Sequence, residues 1–146
     1  MLDIVKKSFA FNSLGQTDLE RIVQISEKRK TQEGEILAEE KQRAAFYFLL
    51  VSGALMISMD SEKACVLDSA GEFAGFDLLS SKGLYISRVT SLLTGEVIAV
   101  SRNGLLDIIG ENSSAGEIIM DNWRQFSAKK CPFLKSGIDL AGDYQY

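Results

Sequence analysis

Histidine is absent from the 146 residues. That removes the commonest general base and the commonest metal ligand, and with them any Ser-His or Cys-His nucleophile. Cysteine is scarce: Cys65 and Cys131 lie far apart and form no CxxC pair, so a metal site is not expected. Cys65 sits in the apolar run Ala64-Cys65-Val66-Leu67 and reads as a buried thiol, whereas Cys131, beside Pro132, reads as exposed. A disulfide between them is the minor alternative. One proline and twelve glycines exclude long disordered linkers. Basic runs are also lacking. Lys28-Arg29-Lys30 is bracketed by Glu27 and Glu33, and the net charge is -4, so there is no broad basic stripe for nucleic acid. The longest apolar run, Ala44 to Val51, falls short of the ~18 residues that a membrane span needs. Met1 to Lys7 mixes charges and does not read as a signal peptide. A soluble, cytoplasmic chain with no membrane contact is expected. Neither a P-loop nor a dinucleotide fingerprint occurs. Adjacent carboxylates such as Glu39-Glu40 read as a solvated turn. No enzyme and no catalytic residue is therefore expected.

What is present is an ordinary globular balance, 46% apolar and 25% charged, at a length that suits one core. Leu2, Ile4 and Val5 suggest a short first helix. Thr17-Asp18-Leu19-Glu20 fits a capping box that opens a second helix ending near Ser26 to Lys28, with Leu19, Ile22 and Val23 as its apolar stripe. The period then becomes two. Ile36 to Ala38 starts a strand, and Phe46 to Val51 reads as a strand buried on both faces. Gly53 reads as a turn, Leu55 to Met59 as a half-buried strand, and Asp60 to Lys63 as a hairpin tip before a strand to Leu67. Tyr85 to Leu93 and Glu96 to Ser101 read as a hairpin around Thr94-Gly95. Helical spacing returns at Leu105, Leu106, Ile108 and Ile109, ended by Gly110. Ser114-Ala115-Gly116-Glu117 fits a second capping box, followed by Ile119, Trp123 and Phe126 on one stripe. The predicted class is mainly β: a double-stranded β-helix, or jelly-roll-like β-roll, flanked by short N-terminal helices and a C-terminal helix. Residues 1–126 form the domain, and 127–146 a disordered tail.

Arg88 stands out on its strand. If Tyr85 to Leu93 is extended, Ile86, Arg88, Thr90 and Leu92 share one face. An arginine on a largely apolar face needs a partner, either an anionic ligand or an acid such as Asp77, unless the position is an exposed edge.

Four stretches resemble the cyclic-nucleotide-binding domain family, which includes the sensor halves of catabolite activator proteins and the regulatory subunits of protein kinase A. They are Gly34-Glu35-Ile36-Leu37-Ala38-Glu39-Glu40, Phe46 to Gly53, Gly71-Glu72-Phe73-Ala74-Gly75, and Ser87-Arg88-Val89-Thr90. The resemblance implies a regulatory domain in which a loop and helix cradle a cyclic phosphate. By position, Gly75 would open that loop and Arg88 would pair with the phosphate. Glycine admits close backbone approach, and arginine grips phosphate through two parallel hydrogen bonds. The implied ligand is cyclic AMP, cyclic GMP or another small anion. It would rest on Gly75, Phe76, Asp77, Arg88, Val89 and Thr90 and be signalled through the C-terminal helix. Two positions depart from the family. Phe76 stands where a glutamate takes the ribose hydroxyl, with Asp77 one residue later. Val89 replaces a small residue, and Thr90 points the opposite way along the strand. The stripe Ile119, Trp123 and Phe126 would cover a ligand or pair with a second copy in a homodimer, or else pack on its own roll. About twenty residues follow it, too few for a helix-turn-helix, so autonomous operator binding is not expected. The alternative function is a ligand-free interaction or dimerisation module.

Overall fold

The computed structural model describes residues 1–60, 63–74, 83–111 and 113–131. Gly75, Phe76 and Asp77 lie outside the described residues, as does 132–146.

Two short helices open the chain. In α1 (Leu2–Lys7) Val5 is buried, and in α2 (Gln16–Gln24) Leu19 and Ile22 are. The Thr17 capping box does not form. The helix starts two residues early, Gly15 is its N-cap, and Glu20 instead accepts from the Gln16 side chain at 3.0 Å. The residues read as the tail of α2 belong to β1 (Ser26–Thr31), a strand of mostly charged residues. It shows no apolar alternation because its residues are exposed or half-buried apart from Thr31, which is buried.

The rest of the roll is β2 (Ile36–Ala38), β3 (Phe46–Met59), β4 (Lys63–Leu67), β5 (Phe73–Ala74) and β6 (Arg88–Ser101). All pairings are antiparallel, in the order β1-β6-β3-β4, with β2 also on β6 and β5 also on β3. The expected mainly-β roll with terminal helices is thus the observed architecture.

Two predicted turns are corrected. Gly53 does not reverse the chain, and Thr94-Gly95 does not form a hairpin. Each lies inside one continuous 14-residue strand, and the two strands run past each other there. A Cβ on Gly95 would stand 2.2 Å from the Ser52 carbonyl oxygen, and one on Gly53 would meet Gly95 Cα at 3.2 Å. Gly53 also has a φ of 92°, a conformation that side chains disfavour. The glycines serve close approach, and the β3–β6 register shifts beside them.

The core lies between these strands: Tyr47, Phe48, Leu49 and Leu50 in succession, then Leu55, Ile57, Leu67 and Phe73, with Val97 to Val100 opposite. Edge-to-face rings run Phe11–Phe73–Tyr47–Tyr85 at centroid spacings of 5.7, 6.3 and 6.4 Å. Each such pair contributes roughly 0.5–1.5 kcal/mol beyond burial.

Helix α3 (Arg102–Ile109) is capped by the Ser101 hydroxyl, which accepts from the Gly104 N–H at 3.2 Å. Helix α4 (Ser114–Lys130) starts one residue earlier than a Ser114 cap requires. Ser113 is its N-cap, with no side-chain bond, so the second capping box also fails to form. α4 runs four residues past Phe126, so the start of the expected tail is helical. Cys131, expected to be exposed, is fully buried, and it forms a disulfide with the half-buried Cys65 across 6.0 Å between Cα atoms.

Candidate functional site

Arg88 opens β6 on the outer side. Its side chain is 47% exposed, whereas Val89 is buried, Thr90 half-buried and Ser91 buried. The alternation of a strand therefore sends Val89 and Ser91 inward and Arg88 outward. Opposite Arg88 on β3 stands Ser58, with Asp60 two residues on at the hairpin tip.

The strap from Glu39 to Ala44 brings the partner. Lys41 adopts a φ of 68° and donates its N–H to the Tyr85 carbonyl at 2.9 Å. Tyr85 N–H donates back to the Gln42 carbonyl at 2.9 Å, and Ala44 N–H to the Gly83 carbonyl at 2.8 Å. These bonds clasp residues 83–85 and hold Glu39 beside Arg88. Arg88 Nε donates to Glu39 Oε1 at 2.9 Å. Glu39 also accepts from the Glu40 N–H at 3.1 Å, and Glu40 accepts from the Asp60 N–H at 3.2 Å. The hydrogen bond from Arg88 is the main cause that holds the Glu39 carboxyl below its ordinary range. The same bond raises the Arg88 guanidinium.

Glu39, Glu40, Ser58, Asp60 and Arg88 line an open cleft of about 440 Å³. Among the described residues its lining carries one guanidinium and three carboxylates. That excess of carboxylates over guanidinium disfavours an anion in the cleft.

Inside the roll the polar groups are held by neighbours. Tyr85 Oη donates to the Phe46 carbonyl at 2.6 Å and accepts from the Phe46 N–H at 3.3 Å. Arg102 Nε donates to Tyr47 Oη at 3.2 Å. Ser87 is buried on the inward side of the chain just before β6. Arg29 lies over the Phe46 ring at 4.3 Å and pairs with Glu27 at 2.8 Å, and it lines a cavity of about 230 Å³ together with Glu39, Phe46 and Tyr85.

The predicted site is thus only partly brought together. Arg88, Val89 and Thr90 begin β6, but Arg88 and Val89 face opposite sides. Ile119 and Trp123 are 1% exposed and Phe126 9%, and Phe126 stacks on Phe9 at 5.2 Å. That stripe packs on its own domain and presents no open face to a mate. Glu39 escaped notice as a partner because Glu39-Glu40 looked like a solvated turn; only the fold brings it across 49 residues to Arg88.

Glu72 also went unremarked, although an acid between Gly71 and Phe73 was a usable signal. It is 4% exposed, accepts from the Asp68 and Ser69 N–H groups at 2.9 Å each, and pairs with Lys130 at 3.0 Å. Among the described residues no cluster of His, Cys, Asp and Glu could hold a metal, and no helix is long and apolar enough to cross a membrane.

No protein-family model matches the sequence, and no curated protein matches it. Solved structures do. A candidate cyclic-nucleotide-binding protein from Geobacter metallireducens superposes with a TM-score of 0.75 at 22% identity, covering 82% of this chain and 89% of its own. The sensor domain of the transcriptional regulator DNR from Pseudomonas aeruginosa gives 0.72 at 13% identity, covering 90% and 99%. The regulatory domain of Toxoplasma gondii PKA, crystallised with cAMP, gives 0.61 at 22% identity, covering 73% and 42%. Strand order, terminal helices and these superpositions agree, and the chain has the fold of the cyclic-nucleotide-binding domains.

Proposed function

We propose that this chain is a regulatory module with the cyclic-nucleotide-binding fold that works without a cyclic nucleotide held by Arg88. It acts by contact with a protein partner or a second copy rather than by catalysis. The observation that carries this reading is the outward Arg88 side chain, ion-paired to Glu39 in a cleft with two further carboxylates. A cyclic phosphate at Arg88 would have to displace Glu39 and lie among negative charges. Breaking a charged hydrogen bond of that kind without replacing it is unfavourable. The ring chain Phe73–Tyr47–Tyr85 further supports the reading, because it occupies part of the roll interior with packed side chains.

A second reading is the sensor: cyclic AMP or cyclic GMP on Gly75 and Arg88, with Phe76, Asp77, Val89 and Thr90 around it, signalling through α4. Its support is the fold likeness to the regulatory domain crystallised with cAMP. Isothermal titration with cyclic AMP and cyclic GMP, on the native chain and on Arg88→Ala, separates the two. The expected result is no saturable heat with either. Micromolar binding lost in Arg88→Ala would replace the proposed reading with the sensor.

A further inference from the structure

The two ends of α4 are held differently. Its first turns are anchored by buried Ala115, Ile119, Trp123 and Phe126. In its last turn Ser127 is buried, Ala128 and Lys129 are exposed and Lys130 is half-buried. Among the described residues, the Lys130–Glu72 ion pair and the Cys131–Cys65 disulfide tie that turn to the roll. Cys65 lies on β4, which among the described residues pairs with β3 alone and forms a sheet edge. It is half-buried between exposed Ala64 and Val66, while Cys131 is fully buried.

We propose that the Cys65–Cys131 disulfide is a redox-operated clamp on the C-terminal turn of α4. The proposal does not depend on whether the chain binds a cyclic nucleotide. A thiolate of a dithiol reductant attacks the sulfur of Cys65, the more exposed of the pair. The Sγ–Sγ bond breaks, and Cys131 leaves as a thiolate and takes a proton. The second thiol of the reductant then attacks the mixed disulfide, releasing Cys65, which is protonated in turn. Two electrons and two protons pass to the protein, and the reductant leaves as its own disulfide. Among the described residues the last turn then keeps the Lys130–Glu72 pair and the burial of Ser127 but loses its covalent tie, and it frays. The link spans 66 residues of sequence, so its loss uncouples the helix end from a distant strand.

Hydrogen exchange of the full chain, oxidised and then reduced with dithiothreitol, tests this. The state of the cysteines is verified by thiol labelling. Amides of residues 127–131 should exchange at least about tenfold faster after reduction, while those of β3 and β6 keep their protection. Emission from Trp123, the single tryptophan, reports the same change two turns away. Cys65→Ser should show the reduced-state rates without reductant, and Cys131→Ser the same. In glutathione buffers the pair should pass from oxidised to reduced within the range the buffers span. Unchanged exchange at 127–131 after complete reduction overturns the proposal. So does a pair that stays oxidised throughout that range, or global unfolding on reduction and in both serine variants, since either is the behaviour of a static staple.

Discussion

Two ion pairs of nearly equal length sit at opposite ends of the argument. Arg88–Glu39 is 2.9 Å and Lys130–Glu72 is 3.0 Å. Distance does not rank them; surroundings do. Arg88 is 47% and Glu39 29% exposed, so water and salt screen their attraction. Glu72 is 6% exposed in its side chain, takes two backbone N–H donors on one oxygen, and sits near a covalent link on the same helix end. The first pair decorates a surface cleft and keeps a cation occupied. The second belongs to a clamp.

That ranking can be broken from the top downward. Cys65→Ser removes a link between residues 66 apart, and loop-closure entropy puts its contribution at about 4 kcal/mol, read as a lower urea midpoint of a still-folded chain. A midpoint equal to wild type would remove the clamp from the account.

Glu72→Ala strips a buried carboxylate from Asp68 N–H, Ser69 N–H and Lys130, with an expected loss of about 2–3 kcal/mol. Faster amide exchange at Asp68 and Ser69 should accompany it.

Arg88→Ala should move stability least of the three. Its signature is electrostatic: the Glu39 carboxyl, held low chiefly by the Arg88 hydrogen bond, should rise toward its ordinary value in an NMR pH titration. The sign follows from linkage. A carboxyl held lower in the folded state adds stability above its ordinary pKa, and that share is lost as pH falls through the folded value. Arg88→Ala should therefore narrow the stability gap to wild type in acid. A gap that widens in acid would contradict the pairing.

Most of the roll was legible in the sequence. Phe46 to Leu50, Leu55 to Met59 and the stripe Ile119–Trp123–Phe126 announce themselves through period and burial. β1 did not, because Ser26 to Thr31 is a strand whose hydrogen bonds to β6, rather than apolar side chains, hold it. Gly53 and Gly95 were misread as turns because glycine signals both a turn and a close crossing, and only the partner strand decides. Both capping boxes had the right spacing, but the helices began two residues early at Thr17 and one at Ser114, and left the hydroxyls inside the first turn.

The candidate site was less legible for a related reason. Arg88 could be singled out by its strand position, but which side of the strand faces the core depends on register. Its partner Glu39 lies 49 residues away and is brought by a strap with no periodicity of its own. The cysteines, read as a buried and an exposed thiol, meet only because α4 continues to Lys130.

The central claim is that the Arg88 guanidinium is committed to Glu39 on the outside of the roll. The most direct measurement is the NMR resonance of the Arg88 Nε–H, followed in the native chain with excess cyclic AMP and, separately, in Glu39→Gln. The account predicts a clear shift in Glu39→Gln and none with cyclic AMP. A resonance that is indifferent to Glu39→Gln but moves saturably with cyclic AMP would contradict it.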